Sequence, residues 1–148
     1  MKIVATNKKA YFNYFIEDTL ETGISLQGSE VKSLRAGHIS LDESFVSIYN
    51  NEAFLKNAYI KAYEKTTSFA PNEKRERKLL LHKKEILKLA RQVKEKGYTL
   101  VATKIYFKGS KVKLEIALAK GKHLYDKKQV LKERQQLKDL KQELTKFN

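Results

Sequence analysis

A mainly β fold with two helices, its strands joined antiparallel, is what this sequence predicts, and three observations carry the prediction. Apolar and polar residues alternate in several short runs, turn residues punctuate those runs, and only two stretches of the main body show clear helical spacing. The chain has 148 residues, 41% of them apolar, with eight Tyr and seven Phe, which suits one core and leaves little room for a second. The expected organisation is a barrel over residues 1–120 followed by a basic tail over 121–148.

The opening "MKIVATNKKA" is basic and polar and reads as an arm leading into "YFNYFIED", an aromatic-rich strand. In "TGISLQ", Ile24 and Leu26 alternate with Ser25 and Gln27, as in a half-buried strand. "GSEVKSLRAGH" has the form of a short helix. Ser29 is its expected N-cap, Val31 and Leu34 share a face, Lys32 and Arg35 share the neighbouring one, and Gly37 closes it left-handed. "SFVSIYN" and "EAFLKNAYIKAY" alternate around Asn50-Asn51, which predicts a hairpin. "EKTTSFAPNEKRERK" carries the only proline and a dense run of charge without periodicity, so it reads as a long exposed loop. After "LLLH", "KKEILKLARQVKEKG" is the best helix of the chain. Ile86, Leu89, Ala90 and Val93 form its stripe and Gly97 its stop. "YTLVATKIYFKGSKVKLEIALAKG" then gives two strands around Lys108-Gly109-Ser110, with Val112, Leu114, Ile116 and Leu118 on one face. Strands linked mostly by hairpins, with a helix before the last pair, close most simply into a small antiparallel barrel of the OB type. A ferredoxin-like layering needs a more regular alternation of helices and strands.

Thirty-one Lys and Arg against seventeen Asp and Glu leave a charge of +14 spread along the whole chain, which predicts a polyanionic partner. No run is long and apolar enough for a membrane span, so nucleic acid is the leading partner and a soluble, cytoplasmic protein the expectation. The absence of cysteine excludes disulfides, thiol catalysis and cysteine-ligated zinc. Catalysis would have to come from His38, His82 and His123 with Asp18, Asp42, Glu43 or Asp126, and no motif gathers these. No enzyme activity, cofactor or metal is expected.

The tail, "GKHLYDKKQVLKERQQLKDLKQELTKFN", repeats Val130, Leu137 and Leu144 every seven residues, with Leu140 and Phe147 interleaved. A coiled-coil stub or a helix docked on the barrel fits this spacing. Its entry suits RNA instead: Tyr125 is able to stack on a base, and Lys122, Lys127 and Lys128 to hold phosphates. A generic OB-type RNA-binding module, such as a ribosomal protein or RNA chaperone, satisfies composition equally well.

"GSEVKSLRAG", "RKLLLHKKEI", "KGYTLVATKIYFK" and "GKHLYDKKQVLKER", in this order, resemble the small protein B family, the tmRNA-binding or SsrA-binding proteins of bacteria. The resemblance implies an OB-type barrel that grips the tRNA-like domain of tmRNA during trans-translation. It also implies a tail that lies in the empty mRNA path of the small ribosomal subunit, against 16S rRNA, and enables rescue of stalled ribosomes. Elongation factor Tu, with aminoacylated tmRNA, is a further implied partner. Residue by residue, the tmRNA-binding positions of the family fall on Asn7, Glu21 and Leu80, with Lys8, Lys9, Lys32, Arg35 and Arg75 as added phosphate neutralisers. The decoding-centre motif falls on Gly121, Lys122, Tyr125, Asp126, Lys127 and Lys128. The family often has Lys at His123, His at Tyr125 and Arg at Lys128; lysine keeps the charge there but not the bidentate fork.

Overall fold

A computed structural model describes residues 1–62 and 71–122. Within them lie nine strands and three helices: β1 (Lys2–Thr6), α1 (Lys8–Asn13), β2 (Tyr14–Ile24), α2 (Gly28–Arg35), β3 (Ile39–Ser40), β4 (Phe45–Tyr49), β5 (Glu52–Lys56), β6 (Tyr59–Ile60), β7 (Arg77–Leu80), α3 (Lys83–Lys96), β8 (Thr99–Lys108) and β9 (Lys111–Gly121). Seven strands form one antiparallel sheet in the order β1-β8-β9-β2-β7-β5-β4, and β3 pairs with β6 beside it. The sheet curls until β4, last in that order, packs against β8 near the other edge. The mainly β, barrel-like body expected from the sequence is what forms. The tail expected over residues 123–148, and residues 63–70 of the expected charged loop, lie outside the described residues.

The opening is where the sequence reading fails. Residues 2–6 are not an arm but an edge strand paired with β8, and "YFN" closes a helix instead of starting a strand. Tyr14 to Ile24 then run as one strand, so the two strands read there are one, and Leu26 lies beyond its end. Asn7 makes the switch from β1 to α1. Its Oδ1 accepts the Ala10 N–H at 3.1 Å and caps the helix, and its own N–H donates to Thr103 O at 2.7 Å. The second helix is capped by Gln27 and not by Ser29, because the Glu30 carboxylate reaches back to accept the Gln27 N–H at 2.9 Å.

Elsewhere local pattern and fold agree. Asn50 and Asn51 both take left-handed conformations, the requirement of a two-residue hairpin turn that follows the strand twist. Gly37 and Gly97 take the left-handed positions after α2 and α3. Leu114, Ile116 and Leu118 of β9 join Leu100, Ala102 and Ile105 of β8 in a core that also takes Leu34 from α2 and Leu89 from α3. The opposite face of β9 is not wet throughout: Ala117 and Ala119, with Val101, form a smaller apolar patch under Ala10 of α1. Beyond α1 that outer face is open.

Candidate nucleic-acid interface

Strand register builds the site. On β2, Leu20, Thr22 and Ile24 turn inward, so Glu21 and Gly23 turn outward. Gly23 pairs with Leu80 of β7 on one side and with Lys113 of β9 on the other; Lys113 pairs with Tyr106 of β8, and Tyr106 with Ile3 of β1. One row thus crosses five strands: Leu80, Gly23, Lys113, Tyr106, Ile3. The next holds Glu21, Glu115 and Lys104. Leu80 is 57% exposed and Ile3 48%, an apolar residue at each end of a polar band. A Cβ at position 23 would meet Leu80 Cβ at 3.1 Å, so any larger residue there would have to push the Leu80 side chain aside by a few tenths of an ångström.

Glu21 and Glu115 face each other across β2 and β9, a pairing of like charge that would repel if bare. Neighbours neutralise both. The Tyr106 hydroxyl donates to Glu21, Lys108 Nζ approaches it at 3.4 Å, and Lys113 adds its charge. The Tyr106 hydrogen bond, helped by those cations, holds the Glu21 carboxyl below the ordinary carboxylate range. Burial, then the bond to Glu21, pushes the Tyr106 phenol well up, so it remains a donor. Glu115 accepts the Thr103 hydroxyl at 2.6 Å and pairs with Lys104 at 3.8 Å. The outcome is an ionised carboxylate and three lysines displayed on a firm sheet.

Of the residues expected to bind RNA, Glu21 and Leu80 stand together on this face. Leu80 is not a core residue; β7 buries Arg77 and Leu79 and turns Lys78 and Leu80 out. Asn7 is elsewhere, and its side chain has nothing left to offer a base. It is 2% exposed, and its Nδ2 donates to Leu41 O at 3.0 Å and Ala102 O at 2.9 Å while Oδ1 caps α1. Asn7 therefore fixes α1, which carries Lys8 and Lys9 at the far end of the same face, and a role for it in tmRNA binding would run through that helix. Lys9 also pairs with Glu43 at 2.7 Å.

Arg75 also stands apart from this face. Its guanidinium grips Glu30 at 2.5 Å and donates to Glu76 O and Ser25 O, so its donors are engaged within the fold. Beside it the fully buried Arg77 donates to Glu30 Oε2 at 2.7 Å and to the carbonyls of Ala58, Arg75 and Glu73. Burial works against the Glu30 charge, but hydrogen bonds from Arg75, the Gln27 N–H and Arg77 outweigh it and hold the carboxyl below its usual value. Lys32 and Arg35 sit exposed on α2, with Arg35 over the Phe107 ring at 5.9 Å, beside a groove also lined by Lys2 and Ile3. That is a separate patch near the β1 edge. Gly121 ends β9, and Lys122 is tied to α1 and the start of β2. Tyr125, Asp126, Lys127 and Lys128, with His123, lie outside the described residues.

Tyr106, Lys113, Lys104, Lys108 and Gly23 were missed by sequence reasoning. Alternation placed Lys113 on the wet face of its strand, but only the register of five strands shows which residues share its row. Among the described residues no group of three or more His, Cys, Asp or Glu could hold a metal, and no helix is long and apolar enough to cross a membrane.

The chain is similar to known proteins over most of its length. A family model described as SmpB protein matches residues 4–146. The chain is 55% identical to an SsrA-binding protein of Persephonella marina over 99% of its length and 93% of the relative's. It is 54% identical to one of Caldicellulosiruptor bescii over 90% of this chain and 85% of the relative, and 55% to one of Rickettsia typhi over 93% and 91%. A solved structure described as "tmRNA-SmpB: a journey to the center of the bacterial ribosome" contains a chain similar in fold. The TM-score is 0.68 and the identity 44%, over 81% of this chain and 85% of that one.

Proposed function

Since the chain belongs to the SmpB protein family, we propose that it binds tmRNA through the outer face of its sheet and acts in trans-translation, the rescue of stalled ribosomes. Its work is binding, in the cytoplasm where ribosomes are, and no reacting group is assigned to it. The observation that carries the surface assignment is the register that sets Leu80 beside Gly23 and Glu21, with Lys113, Lys108 and Lys104 around them. Such a surface suits the tRNA-like domain of tmRNA. Leu80 covers an unstacked base or ribose, Glu21 accepts a base amino group or 2′-OH, and the lysines neutralise phosphates without reading sequence. Lys8 and Lys9 extend the cationic contact along α1, and Lys32 and Arg35 give a second contact near the β1 edge.

Residues 123–148 serve the ribosome in this reading. They enter the empty mRNA path of the small subunit, where Tyr125, Asp126, Lys127 and Lys128 meet 16S rRNA at the decoding centre. The cationic repeats of this segment support that role, since rRNA supplies both countercharge and a surface. Because β9 runs to Gly121 and Lys122 is anchored, the clean cut between the two activities falls after Lys122, not inside the strand.

The test is binding to the isolated tRNA-like domain with an RNA duplex of equal length as competitor, at matched salt, alongside peptide tagging on stalled ribosomes. A strong preference for the tRNA-like domain, reduced about tenfold by Leu80→Ala, is expected; indifference between the two RNAs would reduce the protein to a generic basic barrel. A chain ending at Lys122 should bind tmRNA as before and tag nothing.

A further inference from the structure

The last described residues of β9 are held from outside the strand. The Lys122 N–H donates to Asn13 O at 2.8 Å, its Nζ donates to Tyr11 O at 3.2 Å, and the same ammonium lies 5.0 Å from the centre of the Phe15 ring. Tyr11 and Asn13 belong to the last turn of α1, where backbone carbonyls and the partial negative charge of the helix end favour a cation. Two residues earlier Lys120 lies over the Tyr98 ring at 4.9 Å, and the Tyr98 hydroxyl donates to Glu17 of β2. Phe15 is 48% exposed, so its ring contributes little to the core and is free to serve this contact. At the opposite end of α1, Asn7 is locked to Leu41 and Ala102. One short helix therefore joins the buried frame of the barrel to the point where the chain leaves it.

We propose that Phe15 and Lys122 form a clasp that fixes the direction in which the chain leaves the barrel, and that both are positioning residues for the ribosomal role of residues 123–148. The proposal rests on the tail reading given above. Lys122 then acts inside the protein, against α1 and Phe15, and not as an RNA contact. Fixing the exit limits the volume the following residues must search once tmRNA is bound, which raises their effective concentration at the ribosomal site. Asn7 gains a second consequence: loosening α1 at one end frees the exit at the other.

Phe15→Leu removes the ring while keeping an apolar side chain, Lys122→Gln removes the cation, and Phe15→Tyr restores a ring. Three quantities are read: hydrogen exchange at the Lys122 amide, affinity for the tRNA-like domain, and tagging yield. Both Phe15→Leu and Lys122→Gln should speed exchange at Lys122 and lower tagging by about fivefold, roughly what one exposed cation–π contact is worth. Exchange at Ile116 and tmRNA affinity should not change, and Phe15→Tyr should return both readouts to wild type. Faster exchange with undiminished tagging would overturn the clasp, and so would weakened tmRNA affinity, which would make Phe15 an RNA contact. If the chain ending at Lys122 still tags, the tail reading itself has failed; if it does not tag while both substitutions do, only the clasp has.

Discussion

Two carboxylates, Glu30 and Glu21, each sit among cations and hydrogen-bond donors, and each is held ionised, yet they do opposite work. Glu30 is 2% exposed, and its oxygens are spent on Arg75, Arg77 and the Gln27 N–H. Glu21 meets Tyr106 and Lys108 at the surface, with Leu80 uncovered nearby. Charge density does not separate a structural cluster from a binding one. What separates them is whether donors and acceptors are used up inside the protein. By that criterion Arg75 and Asn7 belong with the frame, and Glu21 and Lys113 with the proposed interface, where Leu80 stands exposed beside them.

The contrast is sharpest where a substitution should unfold the protein. Glu30→Ala strands two arginines, one fully buried, and should cost about 3–5 kcal/mol in urea denaturation. A loss under 1 kcal/mol would mean the cluster is not structural. The same group sets the acid response. Because its folded pKa is depressed, the stability it contributes is present above its unfolded value, about 4.3, and is lost as pH falls through the folded value. Wild type should therefore weaken below about pH 4, and a Glu30→Gln variant should lack that part of the slope.

Leu80→Ala should leave the melting temperature unchanged and lower affinity for the tRNA-like domain about tenfold, the worth of one leucine covered on binding. A lowered melting temperature with unchanged affinity would move Leu80 to the frame. Glu21→Gln keeps the shape and removes the charge, for an expected loss of about threefold in affinity with an unaltered circular dichroism spectrum. Lys9→Ala is the smallest: its pair with Glu43 is solvent-exposed, so no change in unfolding midpoint is expected. The slope of log affinity against log salt should nevertheless fall by about one if Lys9 meets a phosphate.

Elements with their own periodicity and stop signals were legible: α3 with its stripe and Gly97, the hairpin at Asn50-Asn51, and the β8–β9 pair around Gly109. The first thirteen residues were not. The pairing of β1 with β8 is set by residues a hundred positions away, and α1 buries only Ala10, too little for a helical stripe. In "RKLL" the hydrophobic signal misleads, since Arg77 is buried and Leu80 exposed. The family motifs pick out Glu21 and Leu80, but that they share a face follows only from the register of β2 with β7, and the saturation of Asn7 depends on Leu41 and Ala102, which no local window contains.

The position of β9 also has a mechanical meaning. It is hydrogen-bonded along nearly its whole length to β8 on one side and β2 on the other, and it is the strand from which residues 123–148 depart. A pull along the axis of β9 loads both ladders in shear, so many bonds share the force together instead of opening one after another. An interior strand gives the barrel an anchor that tension on its last residues does not peel away, as it could peel an edge strand such as β1.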